Sequence, residues 1–203
     1  MPADFAGRTD FDSANRGLVA VLEPAQIRAG DGRVVYDAAG FAAATTGDCP
    51  DTVNPSLWRQ AQLTAIHGLF EVTAGIYQIR GYDLSNMTLV EGDTGVVVID
   101  PLVSAECAAA GLALYREHRG DRPVTTVIYT HSHIDHFGGV LGVVDADTTV
   151  PIVAPVTLTK PQLLGLLAGA GTDDITMDGD AAAISRIVEL TDDADPAFPI
   201  VTP

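Results

Sequence analysis

"GVVVIDPLVSAECAAAGLALYREHRGDRPVTTVIYTHSHIDHFGG", residues 95–139, decides how this chain is read. Its opening GVVVID is continuously apolar, the pattern of a strand buried on both faces. VSAECAAAGLALYREHRG reads as a helix that ends in basic residues and Gly120. PVTTVIYT is a second strand. Strand, helix and strand within roughly 35 residues make a βαβ unit with a parallel pair, and so an α/β fold. The cluster His131, His133, Asp135, His136 follows at once. It lies at the carboxyl end of the second strand, where such units collect ligands.

Working outward, GIYQIRG and NMTLVEG are short strand-like runs, and EGDTG before GVVVID is a hairpin turn. NPSLWRQAQLTAIHG predicts a helix with Asn54 as N-cap, Pro55 in its first position and Gly68 as its stop. Residues 1–53 show weak periodicity and read as an irregular lead-in. Downstream, HFGGVLGVV predicts a helix start, and VPIVAP a short strand. Past Pro155 the text changes. VTLTKPQLLGLLAG reads as strand, turn and short helix, DDITMDGD as strand and turn, and DAAAISRIVEL as an amphipathic helix capped by Asp180. The expected divisions are residues 1–53, 54–155 and 156–203.

The chain has 203 residues, 47% of them apolar, so it can bury a core. Its net charge is −16 with only 11 basic residues, which excludes nucleic acid and anionic membrane surfaces as partners. No apolar run reaches membrane-spanning length. The N-terminus lacks a basic-then-apolar leader, so the expectation is a cytoplasmic chain. Cys49 and Cys107 stand alone and suggest neither a disulfide scaffold nor a zinc knuckle.

Three imidazoles and a carboxylate in six positions carry chemistry. His131 and His133 are two apart, so in extended chain they point the same way and can meet on one cation. Asp135 and His136 fall where the chain turns, and serve a second cation a few ångströms away. Imidazole suits zinc, and a carboxylate adds charge compensation. Two metals about 3.5–4 Å apart lower the pKa of a water between them, which is the chemistry of hydrolysis. Packing these groups without a metal would cost solvation and mutual repulsion. Gly138 and Gly139 allow backbone to approach such a site closely. His67 and His118 fall at helix ends and read as capping residues.

THSHIDHFGG is similar to the signature of the metallo-β-lactamase superfamily, whose fold is an αββα sandwich. Its flanks, VNPSLWRQAQL, GLFEVTAGIYQIRGYDLSNMTLVEGDTGVVVIDPLVSAECAAA and VIYTHSHIDHFGGV, resemble the alkyl sulfatase branch. The resemblance implies hydrolysis of linear alkyl sulfate esters to alcohol and sulfate. It makes His131, His133, Asp135 and His136 zinc ligands, with Asp135 in the catalytic set and two zincs per active site. VTLTKPQLLGLLAG and FPIVTP resemble the extreme C-terminus of the same family, a sterol-carrier-like domain. The expected fold is therefore the first half of the sandwich plus a short α+β remnant, joined across a large internal deletion.

That family takes two glutamates and one more histidine from segments not recognisable here. Beyond His136 the chain has no His and no Cys, and its only Glu is Glu189. A catalytic zinc wants three protein ligands plus water, so fewer than two zincs are expected. Asp145 and Asp147 read as a solvated acidic turn. The alternatives are an inactive deletion remnant or another hydrolase of the superfamily, such as a thioesterase-like enzyme. Half a sandwich leaves a sheet face and an edge strand open, so marginal stability or homo-oligomer formation is expected. The family's dimerisation segment is not recognisable here.

Overall fold

The computed structural model describes residues 7–144 and 149–154. The lead-in, expected to be irregular, carries short elements instead: α1 (Thr9–Ala14), β1 (Leu18–Ala20), β2 (Gln26–Arg28), β3 (Val34–Asp37) and α2 (Ala38–Ala44). Runs this short hold no full period, which hides them from pattern reading. Arg59 anchors α1 by donating to both carboxylate oxygens of Asp10, at 2.7 and 2.6 Å.

Helix α3 (Pro55–Thr64) starts as its sequence predicts, with Asn54 Oδ1 accepting from Ser56 N–H at 2.9 Å. It stops before Gly68. That glycine instead opens β4 (Gly68–Thr73), a strand the pattern did not reveal. Next come β5 (Ile76–Arg80), β6 (Met87–Glu91) and β7 (Val96–Ile99), each antiparallel to the strand before it.

The βαβ unit then appears as predicted. Helix α4 (Ala105–Arg119) begins at Ser104, whose Oγ accepts from Cys107 N–H at 3.2 Å, and ends at Gly120 with φ 93°. Strand β8 (Val124–Ile128) pairs parallel to β7, with Val98 opposite Val127. Strand β9 (Ile152–Val153) pairs parallel to β8. Among the described residues the main sheet runs β1-β4-β5-β6-β7-β8-β9, beside a separate β2–β3 hairpin.

The core lies between this sheet and α4. Tyr77, Leu89, Val98 and Val127 form one row across four central strands, all at or below 2% exposure. Cys107, Ala108, Leu112, Leu114 and Tyr115 of α4 belong to the same buried cluster. Tyr115 is pushed up to about 12, first by burial and then by its hydrogen bond to Glu91. The sheet's other face is different. Ile76, Val90, Val97, Ile99 and Ile128 are only half-buried, so β7 is not enclosed on both sides as its apolar run suggested.

HFGGVLGVV does not form an α-helix. It makes two 3-10 turns, Ile134–His136 and Val140–Gly142. Glycine is a poor helix former, and here it serves close approach. A Cβ on Gly139 would strike Pro101 O and come within 2.9 Å of Ala108 Cβ.

The chain divides into two compact units, residues 1–155 and 156–203. The second lies outside the described residues, and with it the expected tail elements and the sterol-carrier-like remnant; Asp145 and Asp147 also lie outside them. No described helix is long and apolar enough to cross a membrane.

Candidate metal centre

Strands β5, β7 and β8 run in the same sense, so the loops after them gather at one sheet edge. The loop after β8 brings its four predicted residues together. His131 Nε2 faces His133 Nδ1 at 3.0 Å. The His131 ring lies 3.9 Å, centroid to centroid, from that of His136. His136 Nε2 in turn faces Asp135 Oδ2 at 3.3 Å. The cluster is open to solvent: His133 is exposed, and His131, Asp135 and His136 are intermediate.

Asp100, which sequence reading passed over, organises this set. It sits at the end of β7 with φ 55°, a left-handed conformation that Asp tolerates better than most residues. Its Oδ1 accepts from Thr130 N–H at 2.8 Å, and its Oδ2 accepts from the Thr130 hydroxyl at 2.6 Å. Oδ2 also lies 2.8 Å from His136 Nδ1. A carboxylate only accepts, so His136 Nδ1 carries a proton, and in the neutral ring Nε2 is the nitrogen with the lone pair. The Thr130 hydroxyl has already given its one proton to Asp100. It therefore accepts from His131 Nδ1–H across 3.0 Å, and in the neutral ring Nε2 is the nitrogen with the lone pair there too. One carboxylate thus fixes two imidazole tautomers, in the manner of the outer partners that orient metal-binding histidines. The available signal was an acidic residue ending an otherwise apolar strand.

These contacts permit a test of fit. A tetrahedral zinc with bonds of about 2.0–2.1 Å holds neighbouring donors about 3.3 Å apart. His131 Nε2 and His133 Nδ1 at 3.0 Å match one such edge, and His136 Nε2 and Asp135 Oδ2 at 3.3 Å match another. The donors suit a divalent cation by type and by spacing, as two pairs. The set is also incomplete: among the described residues no three His, Cys, Asp or Glu side chains are grouped to hold one ion.

The other two histidines stay apart from the cluster in their hydrogen bonding. His67 Nδ1 lies 3.0 Å from Ala65 O and His118 Nδ1 3.0 Å from Leu114 O, each just past or within the last turn of its helix. Cys49 and Cys107 are free thiols.

Beneath the cluster, the loop after β5 adds two more residues absent from the sequence reading. Asp83 Oδ2 accepts from Val103 N–H at 2.7 Å, and its Oδ1 accepts from Ser85 N–H at 2.9 Å. Burial pushes the Asp83 carboxyl above the usual carboxylate range, against these hydrogen bonds. Ser85 is buried and donates its hydroxyl to the backbone carbonyl of Asp135.

Comparison with known proteins agrees with this architecture. The family model described as "Metallo-beta-lactamase superfamily" matches residues 80–190, more than half of the chain. A linear primary-alkylsulfatase of Pseudomonas sp. is 53% identical over 157 residues, covering 75% of this chain and 23% of that protein. An alkyl/aryl-sulfatase of Saccharomyces cerevisiae is 50% identical over 170 residues, covering 81% of this chain and 26% of that protein. The solved structure of a stereoselective inverting sec-alkylsulfatase from Pseudomonas sp. superimposes with a TM-score of 0.66 and 51% identity. It covers 71% of this chain and 23% of that one. The chain thus spans about a quarter of the length of these relatives. Its mixed sheet with flanking helices has the fold of the sulfatase structures, and that fold implies a divalent metal. The chain belongs to the metallo-β-lactamase superfamily, and the relatives it resembles there are alkylsulfatases.

Proposed function

We propose that this chain carries the metal-binding half of a zinc-dependent site for hydrolysing alkyl sulfate esters to alcohol and sulfate. His131 and His133 hold one cation, while Asp135 and His136 serve a second. The observation that carries the reading is the facing of two donor pairs, at 3.0 and 3.3 Å, in the loop after β8. Identity of 50–53% to named alkylsulfatases supports the proposed substrate class. When bound, the metal supplies a Lewis acid for the ester oxygens and a water of lowered pKa. The chain's own part is to present two imidazole lone pairs through Nε2 of His131 and His136. Asp100 and Thr130 hold those rings in the required tautomers. Asp135 contributes negative charge that offsets the cation's.

A second reading is a remnant that binds zinc weakly and turns nothing over. The incomplete donor set among the described residues favours it for this chain in isolation. Elemental analysis together with sulfate release from dodecyl sulfate separates the two. About two zincs per chain with turnover support a complete enzyme; less than one zinc without turnover supports the remnant. The second result is expected here. In either case His133→Ala should lower zinc content by abolishing the cation shared with His131, and unchanged zinc content would refute the ligand assignment.

A further inference from the structure

Three loops meet beneath the candidate centre, and one side chain joins two of them. Asp83, in the loop after β5, accepts from Val103 N–H of the loop after β7 at 2.7 Å. Its other oxygen accepts from Ser85 N–H at 2.9 Å, which closes a tight turn and aims the Ser85 side chain. The Ser85 hydroxyl crosses to the loop after β8 and donates to Asp135 O. The partner is the peptide of a proposed ligand, 50 residues away in sequence. Ser85 is 7% exposed, so this bond is sheltered from competing water.

The ligand turn also rests on the loop after β7. Gly139 N–H donates to Leu102 O at 2.9 Å, and a Cβ on Gly138 would strike Val103 O. Asp83 therefore holds the same loop edge against which the ligand turn packs. A 3-10 turn of three residues has little stability of its own. Its carbonyl direction decides where the side chains of Asp135 and His136 project, and Ser85 fixes that direction from outside the turn.

We propose that Ser85 and Asp83 are positioning residues for the metal centre: Asp83 aims the Ser85 hydroxyl, and Ser85 clamps the Asp135 peptide so that Asp135 and His136 face His131 and His133. The inference rests on the metal reading above but assigns roles to residues outside the histidine motif. Neither residue touches the cation. Both act by restricting the ligand turn, so they set affinity rather than metal type.

The test is titration of the full chain with Co²⁺, following its visible ligand-field bands, with unfolding temperature recorded in parallel. Wild type, His133→Ala, Ser85→Ala, Ser85→Thr and Asp83→Asn are compared. Ser85→Ala is expected to weaken Co²⁺ binding by about 10- to 100-fold, the range for lost outer-shell partners. Ser85→Thr, which keeps the hydroxyl, should recover most of that loss, and Asp83→Asn should weaken binding in the same direction. Co²⁺ binding by Ser85→Ala equal to wild type overturns the clamp and leaves the metal reading standing. Wild type that binds no Co²⁺ overturns the metal reading and the clamp with it. Should Ser85→Ala fail to fold, wild-type affinity in Asp83→Asn overturns the proposal.

Discussion

At the scale of single residues, the motif was legible and its supports were not. His131, His133, Asp135 and His136 announce themselves because three imidazoles in six positions have few structural uses. Asp100, Thr130, Asp83 and Ser85 are common residue types; Asp100 and Ser85 reach the cluster from 36 and 50 positions away, and Asp83 acts only through its bonds to Ser85 and Val103. Sequence spacing carries no trace of such contacts. Asp100 is the most exposed to test. In Asp100→Asn the left-handed backbone is retained, since Asn tolerates φ 55° as Asp does. The amide places an N–H₂ where a carboxylate oxygen had accepted from His136 Nδ1–H, or else faces it toward Thr130 N–H. With the NH₂ at the Oδ2 position, His136 is driven to the other tautomer and loses its Nε2 lone pair. Metal affinity should fall about 10- to 100-fold with little change in far-UV circular dichroism. Affinity equal to wild type would mean that the amide keeps its oxygen toward His136 Nδ1–H or that the tautomer is fixed by something else.

At the scale of elements, α4 and its two flanking strands were predictable because their signals agree: a Ser cap, basic residues in the last turn, a glycine stop and apolar runs on either side. The Gly-rich stretch after His136 misled, since its helical period conflicts with glycines needed for close approach to Val103 O, Pro101 O and Ala105 O. Strand β4 was missed because only its first three residues are buried, which leaves no alternation to read. The βαβ unit is also tied by charge. Glu91 at the end of β6 accepts from Arg119 Nε at 3.1 Å and Nη2 at 3.2 Å, and from the Tyr115 hydroxyl at 3.0 Å. Its side chain is 11% exposed. The hydrogen bond from Arg119, then that from Tyr115, holds the Glu91 carboxyl below its ordinary range. Its stabilisation is thus present above the unfolded pKa and lost as pH falls through the lower folded value. Glu91→Gln should cost about 1 kcal/mol at neutral pH, since Arg119 is partly in water. That corresponds to roughly 2–4 °C in Tm for a chain of this size. Thermal unfolding at neutral pH and in steps below pH 4.5 should show the two proteins converging in acid. A gap that persists at low pH would assign the loss to packing.

At the scale of the whole molecule, the sheet has two unlike faces. Period-2 burial along β5, β6 and β7 sends Tyr77, Ile79, Met87, Leu89, Val96 and Val98 toward α4. The alternate residues face away and remain half-buried. Apolar runs such as GVVVID give the fold class but cannot say how completely each face is covered, because coverage depends on what packs there. The difference is measurable with two substitutions one residue apart on β7. Val98 is fully buried, and removing two methyl groups from it costs about 2–3 kcal/mol in transfer and cavity terms. Val97 is half-buried, can let water or neighbours fill the gap, and should lose about 1 kcal/mol or less. The chain's single tryptophan, Trp58, lies in α3, so its fluorescence reports unfolding of residues 1–155 specifically. In urea, Val98→Ala should shift the midpoint at least twice as far as Val97→Ala, with the m-value unchanged in both. Equal shifts would mean that the second face is packed as tightly as the first, and that the sheet is enclosed on both sides as its sequence first suggested.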